Sequence, residues 1–214
     1  MARRGSSFLG QHLSICGQRL RCPMQRINRC REEIYDYFQE NEKCQAYFLD
    51  PAHEDDHVAY YNSAYLLQDS TESLWYHRQE GFSSNSFSAY LEFWGMMQAV
   101  IIQQDAIGEM HQVMVGSILD ARASNLTAWL EIRSLRNLCS GHPAKKSHPK
   151  NRPIARSFIG RRFGGYEQIT YELWEQGVGT SHPKVRLGTL LDRYAEEAAH
   201  QLSAILISMK TRWP

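Results

Sequence analysis

The chain has 214 residues, 43% of them hydrophobic and 22% charged, with a formal net charge of +1. This is ordinary globular composition with enough length for one sizeable core, and it holds no apolar run long enough for a secretory signal or a membrane span. Five cysteines, Cys16, Cys22, Cys30, Cys44 and Cys139, are odd in number and form no CxxC pair, so neither a disulfide framework nor a zinc site is indicated and a cytoplasmic location is expected.

The first 31 residues carry seven arginines and no acid. Residues 1–24 are read as a basic, disordered extension, with a single domain over 25–214. Residues 25–49 form an amphipathic helix with Ile34, Tyr37, Phe38, Cys44 and Phe48 at helical spacing, stopped by Asp50-Pro51. A second helix is expected over 56–76, although its aromatic residues suit a strand period as well. In the polar linker before it, His53-Glu54-Asp55-Asp56-His57 has metal-ligand residue types. Residues of this kind after a proline are more often simply solvated, and no metal site is assigned.

After the break at 81–85, Ser86 or Ser88 caps a long helix reaching Val115, apolar nearly all round and therefore central to a bundle. Its polar insert Gln103-Gln104-Asp105 is conspicuous, because buried amides and carboxylates need partners. Asp105 either faces an edge of the bundle or holds Arg133 or Arg136 in place.

Asn125 is expected to cap the next helix, Leu126 to Cys139, whose apolar stripe is Ala128, Ile132, Leu135 and Cys139. On a helical wheel Arg136 and Trp129 border that stripe, whereas Arg133 and Asn137 lie further round. Cys139 is a small buried hydrophobe on this reading. Gly141 and Pro143 end the helix, which leaves His142 at its frayed end or just beyond.

No Asp or Glu occurs between Glu131 and Glu167, while Arg133, Arg136, Lys145, Lys146, Lys150, Arg152, Arg156, Arg161 and Arg162 do. Such a basic segment attracts polyanions, or else is solvated loop charge. The loop 145–156 leads into alternating residues from Phe158 to Trp174 that read as a small β-hairpin turning at Gly164-Gly165. A loop with Gly177, Gly179 and Pro183 precedes a last amphipathic helix built on Leu187, Leu191, Tyr194, Ala198, Ile205 and Met209. His148 and His182, each before a proline, read as loop histidines. There is no phosphate-binding glycine loop and no nucleophile-elbow serine.

Arg136, Asn137 and His142 supply a charged fork for phosphate oxygens, an orienting amide and a proton carrier active near neutral pH. Arg136 and His142 are separated by five residues, which resembles the motif of HEPN domains. The runs Tyr90 to Ile107 and Ile132 to Pro143 are similar to bacterial HEPN-like proteins of the toxin and defence ribonuclease type. The resemblance covers roughly 25–214 and implies a mainly α, up-and-down helical bundle with a small β-hairpin inserted before the C-terminal helix. It further implies a homodimer whose paired motifs form one cleft for RNA, cut without metal or cofactor. His142 would move protons, Arg136 would stabilise charge on phosphate and Asn137 would orient the histidine or the RNA. Arg133, Lys145, Lys146 and Arg152 would bind RNA, Asp105 would support the arginines, and an antitoxin protein is a further expected partner. Ala144 stands where antitoxin-modified relatives of this type carry a tyrosine. The alternative is a catalytically inactive HEPN-like module for RNA binding or dimerisation.

Overall fold

The computed structural model describes residues 23–141 and 154–214. Among them are six α-helices, which we name α1 (Pro23–Glu40), α2 (Glu42–Leu49), α3 (Glu54–Glu80), α4 (Ser86–Val115), α5 (Thr127–Arg136) and α6 (Leu187–Arg212). The strands are β1 (Ala155–Phe158), β2 (Ile169–Thr170), β3 (Glu172–Glu175), β4 (Gly179–Ser181) and β5 (Lys184–Val185). The protein is thus mainly α-helical with a small antiparallel β element before its last helix. No helix of the described residues is long and apolar enough to cross a membrane.

The expected single helix over 25–49 is two helices. Asn41 leaves helical geometry and its side chain accepts the Cys44 N–H at 2.9 Å, so a polar cap outcompetes continuation of the hydrophobic pattern. The second helix begins at Glu54 and runs to Glu80, longer than expected at both ends, with Glu54, Asp55 and Asp56 in its first turn and His77 and Arg78 in its last. Those charges complement the helix dipole and stabilise turns that apolar periodicity alone does not mark. α4 is capped by Asn85, not by Ser86 or Ser88. The Asn85 carboxamide oxygen accepts from Phe87 N at 3.0 Å and Ser88 N at 3.2 Å.

α3 and α4, joined by a short connection, form the most extensive helix pair, and such connections make neighbours antiparallel. α1 and α6 pack on this pair and on each other, and α5 packs on α6 and α4. The shared core is continuous from Ile27 and Ile34 through Phe48, Tyr60, Leu67, Phe93, Met97 and Ile107 to Ile132, Tyr194 and Ile205. The chain end is fastened back, since Trp213 is buried and its carbonyl accepts from Tyr37 Oη at 2.6 Å and Asn41 Nδ2 at 2.8 Å.

The β element is richer than the hairpin expected from Phe158 to Trp174. β1 pairs with β3 (Ala155 opposite Glu175, Phe158 opposite Glu172), and β3 pairs with β4 (Leu173 opposite Ser181, Glu175 opposite Gly179). The tight turn therefore lies at 176–178, in the stretch read as a loop. Gly164-Gly165 does turn, but inside the long β1–β3 connection, where Gly164 (φ +106°) bridges to Ile169. A Cβ at Gly164 would stand 2.2 Å from the Gln168 carbonyl oxygen, so no other residue fits there. Phe163, between Phe82 and Phe93 at ring distances of 5.2 and 5.0 Å, ties this connection to the helical core.

Candidate functional site

α5 carries the arginines, and another helix holds its first turn. Asn125 is not the cap. It takes a left-handed conformation (φ +53°), which asparagine tolerates better than most residues, and Leu126 occupies the cap position without a side-chain bond. Glu197 of α6 does the capping from a distance: its carboxylate accepts from Ala128 N at 2.9 Å, Trp129 N at 2.8 Å and Thr127 Oγ1 at 3.2 Å. A carboxylate suits this position because the free N–H groups and the positive end of the helix dipole both favour negative charge. Arg193 of α6 adds a 3.1 Å ion pair to Glu131. The apolar stripe Ala128, Ile132, Leu135 and Cys139 is buried as its spacing requires.

Two arginines leave α5 toward the outer face of α4, in different company. Arg133 Nη1 donates to Gln104 Oε1 at 3.2 Å and to Asp105 Oδ1 at 3.1 Å. Asp105 therefore holds Arg133 and not Arg136. Buried Gln104 is satisfied on its other side by donating Nε2 to the Trp129 carbonyl at 3.1 Å, and buried Gln103 donates to Thr71 Oγ1 at 2.7 Å. Arg136, three residues on, donates Nη2 to Gln98 Oε1 at 3.0 Å and Nη1 to Asn137 Oδ1 at 3.2 Å. Both of its partners are neutral amides, and among the described residues no carboxylate pairs with it. Its half-buried guanidinium is thus oriented without being neutralised.

Beyond Arg136 the helix widens into one π-helical turn, Asn137–Gly141. Ser140 Oγ donates to the Arg136 carbonyl at 3.2 Å, and Ser157 Oγ of β1 donates to the Leu138 carbonyl, so the turn is bound to the sheet. Burial pushes the Cys139 thiol up to about 12, which leaves it protonated and inert at neutral pH. Asn137 is exposed, and its N–H2 group, not engaged by the bond to Arg136, can donate to a ligand.

His142, Lys145, Lys146 and Arg152 lie outside the described residues. The structure therefore brings together Arg136, Asn137 and Gln98 on one side, and Arg133, Gln104 and Asp105 on the other. Gln98 and Glu197 escape sequence reasoning. The one signal for Gln98 is its position two helical turns before Asp105 on the same face of α4; Glu197 has none, because its partner Thr127 is 70 residues away.

The other polar clusters are used structurally. His53 stacks on Tyr47 at 3.8 Å with Nδ1 3.0 Å from the Tyr47 carbonyl, and Asp56 accepts from Tyr47 Oη at 3.1 Å. His182 sits 3.7 Å from Glu172 at the exposed edge of the sheet. Among the described residues no group of three or more His, Cys, Asp or Glu side chains is placed to hold a metal ion. Comparison of the chain with family models, with characterised proteins and with solved structures returns no match in any of the three.

Proposed function

We propose that the chain is an RNA-directed protein whose site lies at the C-terminal end of α5, acting as a homodimeric endoribonuclease of HEPN type in a toxin–antitoxin or defence setting. The observation that carries this reading is the state of Arg136, a positioned guanidinium held by two amides and left un-neutralised. An anion such as an RNA phosphate completes that arrangement. His142 follows in sequence after the π-helical turn.

In the proposed reaction the ribose 2′-oxygen attacks the adjacent phosphorus and the bond from phosphorus to the 5′-oxygen breaks. The 2′-hydroxyl proton passes to a base, the departing 5′-oxygen gains a proton, and the upstream fragment ends in a 2′,3′-cyclic phosphate. His142 handles a proton in this exchange, Arg136 stabilises the charge growing on the non-bridging oxygens, and Asn137 orients the histidine or the RNA. An antitoxin protein is the partner expected in such a setting.

The test is cleavage of single-stranded RNA by the purified protein in chelator. Cyclic-phosphate ends are expected, with loss of cleavage in Arg136→Ala and His142→Ala and an unchanged circular dichroism spectrum. Undiminished cleavage in both variants overturns the assignment. The surplus of basic residues between Glu131 and Glu167 favours a second reading, RNA binding without turnover. Salt-sensitive affinity that falls when Lys145, Lys146 and Arg152 are neutralised, with no cleavage, would select it.

A further inference from the structure

The outer face of α4 leads away from Arg136 as a stripe of uncovered apolar side chains. Phe87 (64% exposed), Leu91 (66%) and Trp94 (40%) recur at helical spacing, and the next position on that face is Gln98, the residue that holds Arg136. From Phe87 to Gln98 the stripe is roughly 16 Å long at ~1.5 Å per residue. At its far end the Arg161 guanidinium lies over the Phe87 ring, 4.1 Å from the centroid. Like Arg136, Arg161 has no carboxylate partner among the described residues.

Among the described residues of α4 from Phe87 to Gln98, Glu92 is the one acid, and it is turned aside to accept the Ser83 N–H at 2.8 Å. The Trp94 ring is propped by Tyr90 at 4.7 Å, so it is presented in a set orientation. Flat aromatic surfaces with an arginine at each end, neither paired with a carboxylate among the described residues, match a single-stranded nucleic acid, whose bases stack on aromatic and guanidinium planes while its phosphates seek arginine.

We infer that this face of α4 is a stacking track for single-stranded RNA, with bases on Trp94 and Phe87 and backbone phosphates at Arg136 and Arg161. The inference rests on the proposed RNA site at Arg136 and extends it by a few nucleotides to one side. The track reads base planes rather than base edges, so it accepts any sequence and selects against paired RNA, whose bases are already stacked.

The experiment is fluorescence anisotropy of the full chain with a labelled 12-nucleotide oligo(A) and with an abasic strand of the same length, at fixed salt. Trp94→Ala and Phe87→Ala are each expected to weaken oligo(A) binding roughly tenfold, and the abasic strand is expected to bind the unaltered protein about as weakly as these variants bind oligo(A). Oligo(A) affinity unchanged in both variants, or equal affinity for the abasic strand, overturns the track. If Arg136→Ala loses affinity while both aromatic variants keep it, the RNA site stands and the track falls. If the unaltered protein binds neither strand, the RNA site itself falls. Sedimentation of the same variants covers the other occupant: a dimer that becomes monomeric in Trp94→Ala or Phe87→Ala assigns the face to a second copy of the chain and overturns the inference.

Discussion

The two ends of α5 use charge in opposite ways. At its start, Glu197 reaches across from α6 and satisfies two backbone N–H groups and a hydroxyl, so charge is matched and the helix is anchored. At its finish, Arg136 is gripped by the neutral amides of Gln98 and Asn137, and among the described residues no carboxylate pairs with it, so geometry is set while charge is left over. That charge complements the helix dipole at the C-terminal turn, yet among the described residues no carboxylate faces it, which leaves room for an anion. Arg133, one turn earlier and paired with Asp105, shows what the matched alternative looks like on the same helix.

This contrast can be broken by substitution. The largest effect is expected from Arg136→Ala, which should lower the proposed RNA cleavage by about 10²–10³-fold, the scale for losing one donor to a developing oxyanion. Its unfolding free energy should fall by no more than about 1 kcal/mol, the scale for partly exposed hydrogen bonds and a charge at a helix end. Equal loss of stability and activity would show that Arg136 is structural. Glu197→Ala should do the reverse and destabilise the fold by about 1–2 kcal/mol in urea unfolding, the range for losing a helix cap. Glu197→Gln, which keeps an acceptor but not the charge, should recover part of that loss.

Smaller effects test Arg133. Its pair with Asp105 is largely exposed, with side-chain exposures of 43% and 61%, so a double-mutant cycle should give a coupling below about 1 kcal/mol. Asp105→Asn should release the Arg133 charge and tighten RNA binding by roughly threefold at low salt. Unchanged affinity would separate Arg133 from the proposed RNA site. The smallest effect concerns Asp120, which accepts N–H bonds from Ala123 and Arg122 that hold its carboxyl below the ordinary value of 3.8. A carboxyl lowered in the folded state stabilises the fold while ionised. Its contribution is present above its unfolded value and fades as pH falls through the folded one. Carbon-detected NMR titration should find it below the ordinary aspartate value of 3.8, and Asp120→Asn should flatten the acid limb of the stability profile slightly.

Much of the helical architecture is legible in the sequence. Apolar spacing locates α4, α5 and α6, whereas the aromatic residues of α3 suit a strand period as well; the same spacing puts Ala128, Ile132, Leu135 and Cys139 on one buried face, because side chains three and four apart share a helix surface whatever lies opposite. Boundaries are less legible. Asn41, Asn85 and Glu197 all cap helices, yet only their local or distant geometry distinguishes them from Ser86, Ser88 and Asn125, which have equal or better credentials on composition alone. The turn of the β element is misplaced by sequence, since Gly164-Gly165 and Gly177 to Gly179 are both turn signals and the choice between them depends on which strands pair.

Spacing and composition are enough for a mainly helical chain, the stripe of α5, the seam position of Arg136 and the run of basic residues beyond it, because each is a property of one segment. Packing between segments is what gives Asp105 to Arg133, gives Gln98 to Arg136 without neutralising it, and brings Glu197 to the start of α5. Each of these joins residues at least 28 positions apart, and a contact between distant segments is set by how their helices pack and not by any period within them.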